Sequence, residues 1–100
     1  MTSNHASPTP TAALLDAALR HRLSPDYLEV LDESAAHAGH AGANGLGYGT
    51  HFRIRIACAE FVGKSRVTTH RLVYDALQIW IAAGVHALAI EVLPLPQKQA

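Results

Sequence analysis

The stretch "HFRIRIACAEF", residues 51–61, alternates apolar and polar side chains and therefore predicts a half-buried β-strand. Successive side chains of a strand point to opposite faces, so this strand has an apolar face and a polar face. The apolar face carries Phe52, Ile54 and Ile56, and the polar face carries His51, Arg53 and Arg55. Cys58 continues the apolar series, which favours a small buried thiol over a reactive one.

Two elements are predicted ahead of this strand. The segment "TPTAALLDAALRHRL", residues 9–23, has apolar side chains at helical spacing, with Thr9 or Thr11 as the candidate N-cap and "SPD" as the stop. The segment "YLEVLDES", residues 27–34, alternates and predicts a first strand with Leu28, Val30 and Asp32 on one face. The sequence thus begins with a helix followed by a strand.

A helix and a last strand are predicted after it. "VGKS" is a turn, and residues 65–83 are typical of a helix that Gly84 ends, with a short first turn and Thr68 or Thr69 as a candidate cap. Its broad apolar face comprises Leu72, Val73, Ala76, Leu77, Ile79 and Trp80. "VHALAIEV" then alternates, with Leu88, Ile90 and Val92 on one face. This order predicts an α+β fold with a three-stranded sheet and helices on one face.

Bulk composition sets the class of protein. The 100 residues suit one domain, which we place at 11–94 between a disordered tail at 1–10 and a C-terminal tail at 95–100. The formal net charge is zero, so the whole molecule offers no strong field to nucleic acid or membrane. No apolar run is long enough to cross a bilayer, and the N-terminus lacks a basic leader. We expect a cytoplasmic protein without a membrane partner.

A long loop precedes the central strand. "HAGHAGANGLGYGTH", residues 37–51, holds three of the seven histidines and five of the seven glycines. Loops of this length are functional or disordered. Histidine spacing alone favours solvated or capping side chains over a metal site, because no pair has a tight ligand signature. No nucleophile–base arrangement or nucleotide-binding glycine motif is present either, so we expect no enzyme.

A basic stretch follows the central strand. "FVGKSRVTTHR", residues 61–71, contains Lys64, Arg66 and Arg71. With Arg53 and Arg55 these are five of the eight basic residues, opposed between 53 and 71 only by Glu60. Two interpretations stay open: a solvated basic face, or a patch that contacts phosphates.

Four segments together resemble the BolA-like family. They are "LEVLDESAAHAGHAG", "THFRIRI", "FVGKSRVTTHRLVYDAL" and "GVHALAIEV", in that order, within a match from about Thr11 to Val92. The resemblance implies a fold related to class II KH domains, with the order α-β-β-α(short)-α-β and a short helix–turn–helix.

The resemblance also implies a partner, a monothiol glutaredoxin, with which the domain shares a bridged 2Fe-2S cluster. The glutaredoxin supplies its cysteine and glutathione, and the BolA side supplies a C-terminal histidine and a loop His or Cys. The matching residues are His86 and His37; the loop has no cysteine, so the chain resembles the histidine-type branch. His40 and His51 are alternatives for the loop ligand. We expect no cluster in the isolated chain, which would be a monomer alone or a heterodimer with glutaredoxin.

The family resemblance also suggests an alternative, a DNA-binding regulator of stress response and cell morphology that acts through the helix–turn–helix region. Its candidate contacts are Lys64, Arg66, His70 and Arg71, although His70 also matches a family histidine of structural or interface type. Gly63 is not followed by a second glycine, so the turn is not the GxxG loop with which KH domains clamp RNA. The predicted function is therefore non-enzymatic cluster sharing, with DNA binding as the alternative.

Overall fold

The structure is a computed structural model that describes residues 9–37 and 47–96, without the side chain of His37. Its regular elements are, in chain order, α1 Ala12–Leu23, β1 Tyr27–Asp32, β2 His51–Ala57, α2 Arg66–Ala76, α3 Gln78–Ala82 and β3 Ala87–Val92. Short 3-10 turns lie at Ser34–His37 and Ala59–Phe61. The predicted tails fall mostly outside the described residues, and the domain limits stay a prediction. None of the helices in the described ranges is long and apolar enough to span a bilayer.

The sheet has the order β1-β2-β3, with the predicted central strand in the middle. β1 is antiparallel to β2, and Val30 lies opposite Ile54. β3 is parallel to β2, and Ile90 lies opposite Ile54. Parallel neighbours need a crossover connection, which α2 and α3 provide here. The predicted α+β fold is confirmed.

One core joins the inner face of the sheet to the helices. The predicted apolar side chains of β2, Phe52, Ile54 and Ile56, are at most 1% exposed. Leu15 and Leu19 of α1 cover them, because a spacing of four residues puts both on one helix face. The predicted burial of Cys58 is also confirmed, and its thiol donates a hydrogen bond to the carbonyl oxygen of Leu23.

Both long helices begin at a hydroxyl cap. The oxygen of Thr11 accepts a hydrogen bond from the amide of Leu14, which confirms one of the two predicted caps of α1. The predicted cap of α2 at Thr68 or Thr69 is wrong. Ser65 is the cap, and its hydroxyl oxygen accepts a hydrogen bond from the amide of Thr68. A short turn does precede α2, but it lies at residues 59–61.

The helical region from 65 to 83 is broken at Leu77. The backbone of this residue has φ −107° and ψ 13°, outside the helical range, and it separates α2 from α3. The break turns α3 relative to α2, so Leu77 stays buried whereas Ile79 is 71% exposed. The prediction that Ile79 belongs to the apolar face is therefore wrong.

Candidate functional site

Three histidine positions meet at one end of the sheet. β1 ends at Asp32 and leads into the 3-10 turn that closes with His37. β2 begins at His51, and β3 begins one residue after His86. β1 runs antiparallel to β2, and β3 runs parallel to β2. The end of β1 and the starts of β2 and β3 therefore lie at the same end of the sheet. Strand topology therefore gathers side chains that are far apart in the sequence.

The rings of His51 and His86 are neighbours. Their centroids are 5.3 Å apart and their planes are tilted by 50°. His86 is exposed, whereas His51 is only 7% exposed. The alternation of β2 predicted an outward His51 in line with Arg53. The position does begin the strand on that face, but its ring is covered at the end of the sheet, where the chain leading into β3 packs beside it.

A hydroxyl group orients the ring of His51. The Oγ1 atom of Thr50 lies 2.8 Å from Nδ1 of His51, and both side chains are buried. The backbone carbonyl oxygen of Thr50 also accepts hydrogen bonds from the amides of His86 and Ala87. Thr50 thus touches both histidine positions, one through its side chain and the other through its backbone.

Two polar side chains connect the chain segment before the glycine-rich loop at residues 37–51 to the end of that loop. The carboxylate of Asp32 accepts hydrogen bonds from the amides of Ser34 at 2.9 Å and Gly49 at 3.0 Å. The buried hydroxyl oxygen of Ser34 accepts hydrogen bonds from the amides of Thr50 at 2.9 Å and His51 at 3.0 Å. We call Asp32 and Ser34 the loop clamp. It holds the end of β1 against the start of β2.

Sequence reasoning missed the loop clamp, although half of it has a local signature. Asp at one position and an amide two residues later form an Asx turn, and "DES" has that spacing. The bonds to Gly49 and Thr50 span 17 and 16 residues, and no local pattern predicts them.

The loop histidines are only partly described. The backbone of His37 closes the 3-10 turn, and its side chain lies outside the described atoms, as does the whole of His40. In the part of the chain that the structure describes, no group of three or more His, Cys, Asp or Glu side chains is placed to hold a metal ion. The described donor set at this end of the sheet is one pair of imidazoles.

The predicted basic residues separate into two groups. Lys64, Arg66 and Arg71 are exposed, and none has a carboxylate partner within residues 9–37 and 47–96. His70 is half-buried beside them. A groove of about 500 Å³ lies between α2 and β3 beside Lys64, Arg66 and His70. Its lining comprises Phe61, Lys64, Arg66, Thr69, His70, Ile90, Glu91 and Val92.

Arg53 and Arg55 do not join that patch. They lie on the helix-free face of the sheet, where Glu91 of β3 pairs with both. Arg53 also pairs with Glu33 at 2.9 Å, and Arg55 with Glu29 at 3.3 Å. The hydrogen bond from Arg53 lowers the pKa of Glu91, and the bond to Glu33 raises the pKa of Arg53. This arginine–glutamate network neutralises the charges that the sequence grouped with the basic stretch.

Comparison with known proteins places this geometry in a family. Residues 19–95 match the family described as BolA-like protein. BolA-like protein 1 of Mus musculus is 42% identical over 86 residues, which cover 86% of this chain and 59% of that protein. SufE-like protein 1, chloroplastic/mitochondrial, of Arabidopsis thaliana is 49% identical over 75 residues, which cover 72% of this chain and 20% of that protein. The chain thus spans less than two thirds of either curated relative.

A solved structure agrees with the sequence comparisons. The BolA domain of SufE1 from Arabidopsis thaliana superimposes with a TM-score of 0.73 at 41% identity, covering 83% of this chain and 90% of that domain. The sequence match extends over most of the chain, and the solved domain has the same α+β architecture. This chain belongs to the BolA-like family.

Proposed function

We propose that this protein is a non-enzymatic partner of a monothiol glutaredoxin and shares with it a bridged 2Fe-2S cluster for iron–sulfur trafficking or iron and redox regulation. The observation that carries the proposal is the meeting of histidine positions from three strand ends, with the rings of His51 and His86 5.3 Å apart. Membership in the BolA-like family supports it as well.

The donor chemistry fits a cluster carried as cargo. Imidazole replaces thiolate on one iron of Rieske centres, where it raises the reduction potential. Two imidazoles complete only half of the ligand set of such a cluster, and the described residues add no third metal-binding side chain. The remaining ligands would come from the partner's cysteine and glutathione. A binding site divided in this way suits transfer, because separating the two proteins opens it.

His86 and one histidine of the loop are the proposed ligands. His86 is exposed beside the start of β3, where a partner can reach it. His37 is the first choice for the loop ligand on family resemblance, and His40 and His51 are the alternatives. The ring of His51 is held by Thr50, so His51 either ligates the iron or supports the ring of His86.

The test is to mix the purified protein with a cluster-loaded monothiol glutaredoxin and to record visible absorption and circular dichroism. We expect a new spectrum with the wild type, none with His86→Ala, and the wild-type spectrum with His21→Ala, an exposed histidine of α1. The series His37→Ala, His40→Ala and His51→Ala then identifies the loop ligand. Wild-type protein that leaves the spectrum unchanged contradicts the proposal, as does an unaltered response from His86→Ala.

DNA binding through Lys64, Arg66, His70 and Arg71 stays a prediction. Exposed cations without ion-pair partners are needed for phosphate contacts. They are not specific to nucleic acid, however, and the groove beside them has features that fit another class of partner.

A further inference from the structure

The groove between α2 and β3 lies far from the histidine site. It is lined at β3 by Ile90, Glu91 and Val92, whereas His86 precedes the opposite end of the strand. Six residues of extended chain separate His86 from Val92, about 20 Å at about 3.3 Å per residue. The groove and the histidine site are therefore separate parts of the surface.

The outer edge of β3 has backbone groups that can pair with another strand. β3 is at the edge of the sheet. The amides of Ala87 and Leu93 donate to carbonyl oxygens at either end of β2, so the odd-numbered residues of β3 face β2. By the alternation of a strand, Leu88, Ile90 and Val92 direct their amides and carbonyls outward. Among the described residues no strand lies beside them.

The helix side of the groove is cationic and its floor is apolar. The ammonium group of Lys64 donates a hydrogen bond to the carbonyl oxygen of Glu60 at 2.6 Å, which holds this side chain at the rim. Arg66 begins α2 and has no carboxylate partner in the described ranges. The apolar part of the lining comprises Phe61 and, from β3, Ile90 and Val92, the latter 39% exposed.

We propose that this groove binds an extended acidic peptide segment of a partner protein, which adds to β3 as a fourth strand. Side chains of an added strand alternate between the two faces of the sheet. Those on the helix face meet Lys64, Arg66 and His70, so carboxylates are favoured there. Those on the other face meet Glu91, whose carboxylate is already paired with Arg53 and Arg55, so carboxylates gain no cationic partner there. The expected ligand therefore carries an acidic residue at every second position.

A peptide fits this groove better than a nucleic acid does. Single-stranded nucleic acid is commonly held by stacking its bases on exposed aromatic rings. The lining holds one phenyl ring, Phe61, which is only 6% exposed, and one imidazole, His70, which is half-buried. A row of outward amides and carbonyls on β3 complements a peptide backbone, whereas a phosphate backbone has no donors for the carbonyls.

The test uses a fluorescent peptide of about ten residues in which glutamate and threonine alternate, with fluorescence anisotropy as the readout. We expect the wild type to bind it and the double variant Lys64→Glu, Arg66→Glu to bind about tenfold more weakly or worse, because two attractive charges become repulsive. Arg22→Glu, which reverses an exposed charge on α1, should bind like the wild type. A peptide with lysine in place of glutamate should not bind.

Amide hydrogen exchange by NMR reports the strand pairing directly. On binding, exchange should slow at the outward amides of Leu88, Ile90 and Val92. His86→Ala should bind the peptide normally, so this result stands or falls independently of cluster sharing. The proposal is overturned if the double variant Lys64→Glu, Arg66→Glu binds the peptide as tightly as the wild type. It is overturned equally if peptide binding leaves amide exchange in β3 unchanged. It is also overturned if a thymidine oligonucleotide binds more tightly than the peptide and loses affinity in the same double variant.

Discussion

The two ends of β3 are built on opposite physical principles. Near His86, the side chains of Asp32 and Ser34 accept hydrogen bonds from backbone amides, and the hydroxyl of Thr50 contacts the ring of His51, so the backbone and one ring are fixed. Near Val92, the exposed cations Lys64 and Arg66 flank Ser65, the cap of α2. A metal ligand must hold its donor atom at a set place, which needs buried support, whereas an electrostatic docking surface needs only charges that are not already paired. Substitutions of the supporting polar residues should therefore change stability at the first end, whereas substitutions of the cations should change binding alone at the second.

The largest expected contrast in stability between the two ends is that between the variants Ser34→Ala and Ser65→Ala. Ser34→Ala leaves the buried amides of Thr50 and His51 without their acceptor, and we expect it to lower the free energy of unfolding by about 2–3 kcal/mol. Ser65→Ala removes the exposed cap of α2 and should cost about 1 kcal/mol. Urea denaturation of both variants measures the contrast. Equal losses would mean that the loop clamp contributes no more than an ordinary helix cap.

The loop clamp also shows where sequence reasoning stops. The alternation of Phe52, Ile54 and Ile56 predicted the buried face of β2, because a local period of two reports a half-buried strand. His51 opens the same strand, yet the pattern gave no sign of its burial. Its cover comes from the chain before β3, some 35 residues away in the sequence. Local periodicity predicts the face of the sheet to which a side chain points, but not which distant residues pack against it.

The basic residues give the same lesson. The sequence placed Arg53 and Arg55 in one patch with Lys64 and Arg66, because only Glu60 stands between them along the chain. Their partners Glu29, Glu33 and Glu91 lie on flanking segments of the sheet, 20 to 38 residues away. Strand pairing decides which charges are neutralised, and counting charges along the chain cannot predict this. The break at Leu77, a fully buried residue, likewise has no local signal in the sequence.

The next largest effect on stability tests whether the hydroxyl of Thr50 supports the ring of His51. Thr50→Val keeps the shape of the side chain and removes the hydroxyl that contacts Nδ1 of His51, so we expect a loss of about 1 kcal/mol in unfolding free energy. Thr50→Ser should restore most of it. Nitrogen chemical shifts of the imidazole, measured by NMR, should change in the valine variant and return in the serine variant. Unchanged shifts in both would show that the hydroxyl does not orient the ring.

The arginine–glutamate network lies between the two ends and should respond to acid. The pKa of Glu91 is lowered from its ordinary value of 4.5, first by the hydrogen bond from Arg53. A carboxyl with a lowered folded-state pKa stabilises the protein above its unfolded value, and this stabilisation is lost as pH falls through the folded value. The wild type should therefore be more stable than Glu91→Gln at neutral pH, and the gap should shrink below pH 4.5.

Chemical denaturation at a series of pH values measures that gap. Glu60→Gln is the control, because Glu60 is exposed and has no arginine partner in the described part of the chain. Its difference from the wild type should stay small across the series. A gap for Glu91→Gln that stays constant, or widens in acid, would contradict the network as the origin of the lowered pKa.

The smallest effect on stability is expected at Arg66, and a small effect would show that this cation does not support the fold. The residue is exposed, has no carboxylate partner among the described residues and begins α2, where the helix dipole favours a negative charge. Arg66→Glu should leave the free energy of unfolding within about 0.5 kcal/mol of the wild type, or raise it slightly. The same substitution should weaken binding of the acidic peptide. A stability loss above about 1 kcal/mol would show that Arg66 supports the fold, and the contrast between the two ends of β3 would then fail.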